Sequence, residues 1–176
     1  MIKKIFHIYQ EQLFNINYVG RKKVKSKYNL SYEVINLENY KQVNTLRGPQ
    51  YVNDFRKMLL NGDTGVYAKV NEEYVGYGWA KMQGSKDYFF DISSNDISYL
   101  CRFYVKNTFR GGNIYPNLIN WLIDFVSFNN KTNEFYIAVE VGNEASVKGI
   151  NKVGFQYLEN LKFIRVLKKT FNKHKL

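Results

Sequence analysis

Two short stretches hold residues whose types and order suit the binding of a phosphorylated ligand. The first is Phe103-Tyr104-Val105-Lys106-Asn107-Thr108-Phe109-Arg110-Gly111-Gly112-Asn113-Ile114-Tyr115. A hydrophobic strand ends at Val105, and Arg110-Gly111-Gly112 then leads into the most regular amphipathic stretch of the chain. Small residues let such a loop turn tightly and expose successive backbone N–H groups beside a helix N-terminus, which makes a cradle for phosphate. Arg110 can face an anion or brace the loop. The plainer reading is a strand-to-helix turn in which the glycines relieve crowding. The second stretch is Val139-Glu140-Val141-Gly142-Asn143-Glu144-Ala145-Ser146, continuing to Lys152-Val153-Gly154-Phe155. There a strand ends, Asn143 can cap the following helix, and Gly154 can stop that helix in a left-handed conformation. Capping alone would explain it, but it lies about 30 residues beyond the first, with one helix and one strand between.

The single cysteine, Cys101, has no histidine near it in sequence, since His7 and His174 lie at opposite ends of the chain. It reads as a buried free thiol rather than a nucleophile. No Cys/His cluster has metal-ligand spacing, so no metal is expected. One cysteine cannot form an internal disulfide, which favours a reducing, cytoplasmic setting. No apolar run reaches the ~18–20 residues of a spanning helix, so membrane insertion is not expected.

Periodicity and turn residues give the elements that must position these stretches. A strand over Tyr32–Leu37 is followed by helices over Glu38–Leu46 and Gln50–Leu60. Two strands, Gly65–Val70 and Tyr74–Met82, form a hairpin around Asn71-Glu72-Glu73. A strand over Ile97–Val105 runs into the first stretch, and Ile114, Leu118, Leu122, Phe125 and Val126 mark a helix over Ile114–Val126. A strand over Glu134–Val141, a helix over Glu144–Lys152 and one or two strands over Phe155–Leu167 close the chain. The expectation is a single α/β domain whose mixed, mostly antiparallel sheet is flanked by helices. It occupies residues 31–170, with a basic N-terminal extension over 1–30 and a basic tail over 171–176.

The net charge of +11 is terminal: residues 1–30 carry +6, residues 160–176 carry +6, and residues 31–159 carry −1. Runs such as Arg21-Lys22-Lys23-Val24-Lys25-Ser26-Lys27 and Leu167-Lys168-Lys169 can attract a phosphorylated ligand, anionic lipid or nucleic acid. Solvated ends are the blander and preferred reading. Nucleic acid is disfavoured as a partner, because the arginine-glycine motif occurs once and runs straight into an amphipathic helix.

Together the two stretches resemble the GNAT superfamily of N-acetyltransferases. Its glycine loop has the form Arg/Gln-x-x-Gly-x-Gly/Ala, and its later segment is Asn-x-x-Ala/Ser followed by Gly-Phe. The resemblance runs from about Tyr32 to Leu167, and Asn61-Gly62-Asp63-Thr64-Gly65-Val66-Tyr67-Ala68 with Val75-Gly76-Tyr77-Gly78-Trp79 looks like the family's central hairpin. It implies acetyl-CoA as cofactor and direct attack of a primary amine on the thioester. The backbone of Phe103, Tyr104 and Val105 would pair with the pantetheine amides. Arg110 and the amides of Gly111, Gly112, Asn113, Ile114 and Tyr115 would hold the pyrophosphate, while Asn143 and Ser146 would contact the pantetheine arm and its neighbourhood. A backbone N–H near Tyr104 or Val105 would polarise the thioester carbonyl.

This sequence departs from the family at Asn113 and Tyr115, where glycine or a small residue is preferred. It departs again at Ile150, where many members place the tyrosine that protonates the leaving thiolate. Ser146 and a tyrosine from elsewhere are the candidates for that role. An alkyl ammonium of pKa near ~10.4 is only about one part in a thousand neutral at pH 7, so an amine acceptor needs a base. The strand before the loop offers Arg102 where an acid is expected. Glu140 is favoured as base over Asp96 and Asp91. The acceptor is expected to be a small-molecule amine, with a sugar nucleotide favoured by the tyrosine-rich hairpin and Arg-Gly-x-x-Ile-Tyr-Pro, and a homodimer is left open. The rival reading is a non-catalytic module that binds CoA, RNA or protein on the same fold.

Overall fold

The computed structural model describes residues 6–166 and 169–176. Lys3, Lys4, Leu167 and Lys168 of the terminal charge runs lie outside the described residues. The chain opens on β1 (Phe6–Asn17), then β2 (Ser31–Val34), α1 (Val43–Arg47) and α2 (Val52–Leu60). A hairpin of β3 (Thr64–Val70) and β4 (Glu73–Lys81) leads through β5 (Phe90–Asp91) to β6 (Ile97–Val105). Next come α3 (Ile114–Asn130), β7 (Glu134–Glu140), α4 (Glu144–Val153) and β8 (Gln156–Val166), with β9 (Lys169–Thr170) and β10 (His174–Lys175) at the end.

The main sheet has the order β2-β3-β4-β6-β7-β1-β8-β9, and β10 pairs separately with β5. Every neighbouring pair in the main sheet is antiparallel except β6 and β7. This is the expected α/β fold. The expected elements from the central hairpin to the last helix are all present, α3 running on to Asn130.

Three stretches differ from expectation. Residues 6–17 are not an extension but a strand inside the sheet, between β7 and β8. Their period is obscured by the polar run Gln10-Glu11-Gln12 and by a register shift between Leu13 and Phe14, which leaves both of those side chains buried. The C-terminal residues are not a free tail, because β10 lies on β5 and Leu176 packs with Phe90, Phe163 and Leu13. The helix expected over Glu38–Leu46 shrinks to a 3-10 turn at Tyr40–Gln42 followed by α1. There Asn36 and Asn39 cross-bond. The Asn36 N–H donates to Asn39 Oδ1 at 2.8 Å and the Asn39 N–H donates to Asn36 Oδ1 at 3.1 Å, fixing a turn in place of a first helical turn.

Helix α3 buries Ile114, Leu118, Ile119, Leu122, Ile123 and Val126 against Val66, Val75, Leu100, Phe135 and Ile137 of the sheet. The other face is covered in two parts. Helices α1 and α2 lay Val43, Leu46, Phe55 and Met58 on Tyr67, Tyr77 and Trp79. The β5/β10 segment covers Leu13, Tyr99 and Phe163.

A chain beginning at residue 31 loses the strand that partners both β7 and β8. It is expected to lack cooperative unfolding in chemical denaturation followed by circular dichroism. Leu13→Ala in the full chain should cost about 2–5 kcal/mol. A truncated chain that unfolds cooperatively at full stability would return residues 1–30 to the status of an appendage.

Candidate active site

Strands β6 and β7 pair only from Ile97–Leu100 to Glu134–Ile137. Beyond that point β6 stays with β4, through Tyr104 opposite Tyr77 and Val105 opposite Gly76. Strand β7 stays with β1 as far as Glu140 opposite Glu11. The strands part, and a cavity of about 720 Å³ opens where they do. Phe103, Tyr104 and Val105 line one wall, their backbone edge toward β7 paired with no strand among the described residues; Ala138, Val139 and Glu140 line the other.

The loop before α3 closes one end. Gly111 has φ +76°, and a Cβ there would meet nothing within 4 Å. Asn113 has φ 64° and ψ 23°, a left-handed conformation that asparagine tolerates better than most residues. Among the described residues, the N–H groups from Gly111 through Tyr115 find no acceptor. A left-handed residue followed by a helical one, at the positive end of a long helix, turns such N–H groups toward an anion.

Asn113 explains its own departure from glycine. Its Nδ2 donates to the Lys25 carbonyl at 2.9 Å and its Oδ1 accepts from Lys152 Nζ at 2.7 Å, so it joins the loop to two other segments. Arg110 Nε donates to the Val105 carbonyl at 3.2 Å, bracing the loop, while the residue remains exposed at the cavity. Gly112 differs from its neighbours. It faces Tyr28, whose ring carbons would lie 2.2 and 2.8 Å from a Cβ, and it does not line the cavity. Its carbonyl accepts from the Lys27 N–H at 3.0 Å and from Ser26 Oγ at 3.2 Å. The backbone of the basic run Arg21–Lys27 is therefore a strap laid over the loop, while Lys22, Lys23, Lys25 and Lys27 stay exposed to solvent as expected.

On α4, Asn143 caps the helix: its Oδ1 accepts from the Ser146 N–H at 3.2 Å. Ile150 is fully buried in the main core and cannot reach the cavity. Tyr115 instead lies across this helix, where a Cβ on Gly149 would be 2.5 Å from its ring. Ser146 and Tyr115 both line the cavity, and burial raises the Tyr115 phenol above its usual range, opposed in part by Ser146. Lys148 and Lys152 of the same helix line the cavity beside Arg110.

Among the expected carboxylates only Glu140 lines the cavity. Asp91 pairs with Lys173 at 2.9 Å, and Asp96 is exposed in a turn. The cavity holds a second carboxylate that the sequence did not single out. Glu11 of β1 stands opposite Glu140, and burial first, then the charge of Glu140, pushes it up to about 7. No local signal marks Glu11, because its surroundings are assembled from β7, at the far end of the chain. Cys101 is pushed up to about 12 by burial, which keeps it a thiol rather than a thiolate nucleophile. No group of His, Cys, Asp and Glu suited to a metal occurs among the described residues.

The sheet is thus split between its two parallel strands, with a helix N-terminus of free N–H groups at the split. The profile of the acetyltransferase (GNAT) family matches residues 31–155, and the chain belongs to that family. Solved structures share its fold. A functionally unknown conserved protein from Staphylococcus epidermidis is 13% identical, with 92% of this chain and 63% of that one aligned at a TM-score of 0.62. A GNAT acetyltransferase from Colwellia psychrerythraea is 12% identical, with 95% and 57% aligned at 0.65. The aminoglycoside N-acetyltransferase AAC(6')-Iy, solved in complex with CoA, is 18% identical, with 78% and 94% aligned at 0.61. The chain spans less than two thirds of the length of the first two, and at such identities the likeness is one of fold. No curated protein matches the sequence.

Gly111→Val places a branched side chain at positive φ in front of the free N–H groups, at a strain of about 1–2 kcal/mol. Calorimetry should show CoA affinity falling at least tenfold while the chain still unfolds cooperatively. Unchanged affinity would put the phosphates elsewhere.

Proposed function

We propose that the chain transfers an acetyl group from acetyl-CoA to the primary amine of a small molecule. The observation that carries this reading is the set of unpartnered N–H groups at Gly111, Asn113, Ile114 and Tyr115, residues that line the cavity between the parted strands. That set fits a diphosphate, and Arg110, Lys148 and Lys152 supply cations around it. The free edge of Phe103 to Val105 fits an amide-bearing arm added as an extra strand. Asn143 and Ser146 stand on the facing helix.

The thioester supplies the activated acetyl group, and the residues of the chain supply proton traffic around it. The Glu11–Glu140 pair takes the proton of the acceptor ammonium, and Glu11 is the better base. Burial first, and the charge of Glu140 second, raise Glu11 to about 7, so it binds a proton readily near neutral pH. In this reading Glu140, the carboxylate expected from the sequence, tunes Glu11. Tyr115, kept protonated by burial and lining the cavity with Ser146, holds a proton at Oη for the sulfur leaving group. It takes the part that Ile150 cannot. Among acceptors we favour an amino-sugar nucleotide, and among compartments the cytoplasm, where a lone thiol such as Cys101 stays reduced.

The pH dependence follows from Glu11. As a base it works ionised, so kcat/KM should rise with pH through about 7 in the intact chain. Glu11→Gln should remove that limb and lower kcat/KM by about 10²–10⁴. Stability moves oppositely. A carboxyl whose folded pKa is raised favours the fold below its ordinary value near 4.5, and that advantage is lost as pH climbs to about 7. Glu11→Gln should thus be more stable than the parent at pH 8, with the difference closing below pH 4.5. A rising limb that survives the substitution would exclude Glu11 as the base.

A further inference from the structure

The cavity does not end at the carboxylates. A notch of about 100 Å³ adjoins it through Arg102 and Phe103, and is also lined by Arg47, Tyr51, Asp54 and Tyr77. Arg47 is the last residue of α1. Its guanidinium lies 4.1 Å from the centre of the Tyr51 ring and 4.9 Å from that of Tyr104, and it donates to the Tyr51 hydroxyl. Among the described residues no carboxylate pairs with it.

Arg102 reaches the notch by a distortion of the sheet. Tyr77 stands opposite Tyr104 and Trp79 opposite Cys101, so Arg102 and Phe103 together oppose Gly78. At this bulge Arg102 has φ +53°, a costly conformation for a long side chain in a strand. A bulge re-aims the residue it carries. Here the side chain comes to 3.9 Å from Asp54, with both groups roughly half exposed, a weak pair that leaves much of the charge uncompensated. The notch is therefore cationic, walled by tyrosine rings and hydroxyls, while Glu11 and Glu140 put negative charge on the opposite wall of the same cavity.

We propose that Arg47 and Arg102 form an anion subsite of the acceptor cleft, and that the acceptor is a primary amine carrying a phosphate or carboxylate. The placing of the acceptor rests on the acetyltransfer reading; the subsite itself does not need turnover. The ammonium end faces Glu11 and Glu140, and the oxyanion end receives charge-assisted bonds from two guanidiniums with tyrosine hydroxyls beside them. A polycation meets two arginines where it would need acids, so polyamines and aminoglycosides are excluded by charge.

The test uses the full chain with saturating CoA, titrated calorimetrically with glucosamine 6-phosphate, glycylglutamate and spermidine. One of the two anionic amines should bind and spermidine should not; which of the two binds distinguishes phosphate from carboxylate. Arg47→Gln and Arg102→Gln should each weaken that binding at least tenfold, while CoA affinity in Arg47→Gln stays at the parent value. In turnover assays with acetyl-CoA the same variants should raise the acceptor KM with little change in kcat. Arginine-dependent binding of an anionic amine without acetylation would keep the subsite and sink the acetyltransfer reading. Equal acetylation by the parent and the double variant would do the reverse. Tighter binding of spermidine, or no binding of either anionic amine at millimolar concentration, would also overturn the subsite.

Discussion

The site exists because β7 has a complete partner on one side and can therefore lose its partner on the other. A strand edge with unpaired N–H and C=O groups is costly when buried. Strand β1 answers that cost for β7 by pairing along its whole length, from Asn17 opposite Glu134 to Glu11 opposite Glu140. Strand β6 is likewise held by β4 up to Val105. With both strands anchored outward, their inner edges are free to diverge after Leu100 and Ile137. The same pairing that permits the cavity also delivers Glu11 to its wall.

Charge of both signs is grouped around this cavity. The loop end carries the helix terminus, Arg110, Lys148 and Lys152, and the strap from Arg21 to Lys27 lies just outside it, bonded to Gly112 and Asn113. The strap's lysines therefore reinforce the field at the loop over about a Debye length. Glu11 and Glu140 line the same cavity, and Arg47 and Arg102 line the adjoining notch. A terminal excess of charge that looked like solvated ends in the sequence is, over residues 21–27, exposed to solvent yet anchored by its backbone to the loop before α3.

What the sequence disclosed was local. Arg110-Gly111-Gly112, Asn143 and Gly154 have conformational reasons that show in the residue types themselves, and the amphipathic period of α3 survives its flanks. What stayed hidden was non-local or irregular. Strand β1 has polar residues in its middle and a bulge that buries Leu13 and Phe14 in succession, so no period of two can be counted across it. Glu11 looks like one of three polar residues in a row until β7 is laid beside it. Arg102 looked like a base gone missing; its meaning depends on a bulge whose evidence is the register of β4 against β6. The turn at Asn36 and Asn39 replaced helix by side-chain bonds that helix periodicity does not register.

The two departures at Tyr115 and Ile150 are best understood as one exchange. A residue seven positions beyond the capping asparagine can serve the cavity only if it points there, and in this chain that position is fully buried in the core behind α3. One position earlier, Gly149 removes the side chain that would block α4 from above, and Tyr115 fills that space from the start of α3. It lines the cavity there with Ser146. In the proposed mechanism the base follows the same logic, moving from β6 to the strand beyond β7. Proton transfer constrains where an atom sits relative to the reacting groups, not which element carries it. A fold whose cavity is bordered by several strand and helix ends can therefore change the supplier while keeping the chemistry. Reading such a chain by the family's fixed positions would find a defective enzyme where the space around the cavity holds a carboxylate pair and a protonated phenol.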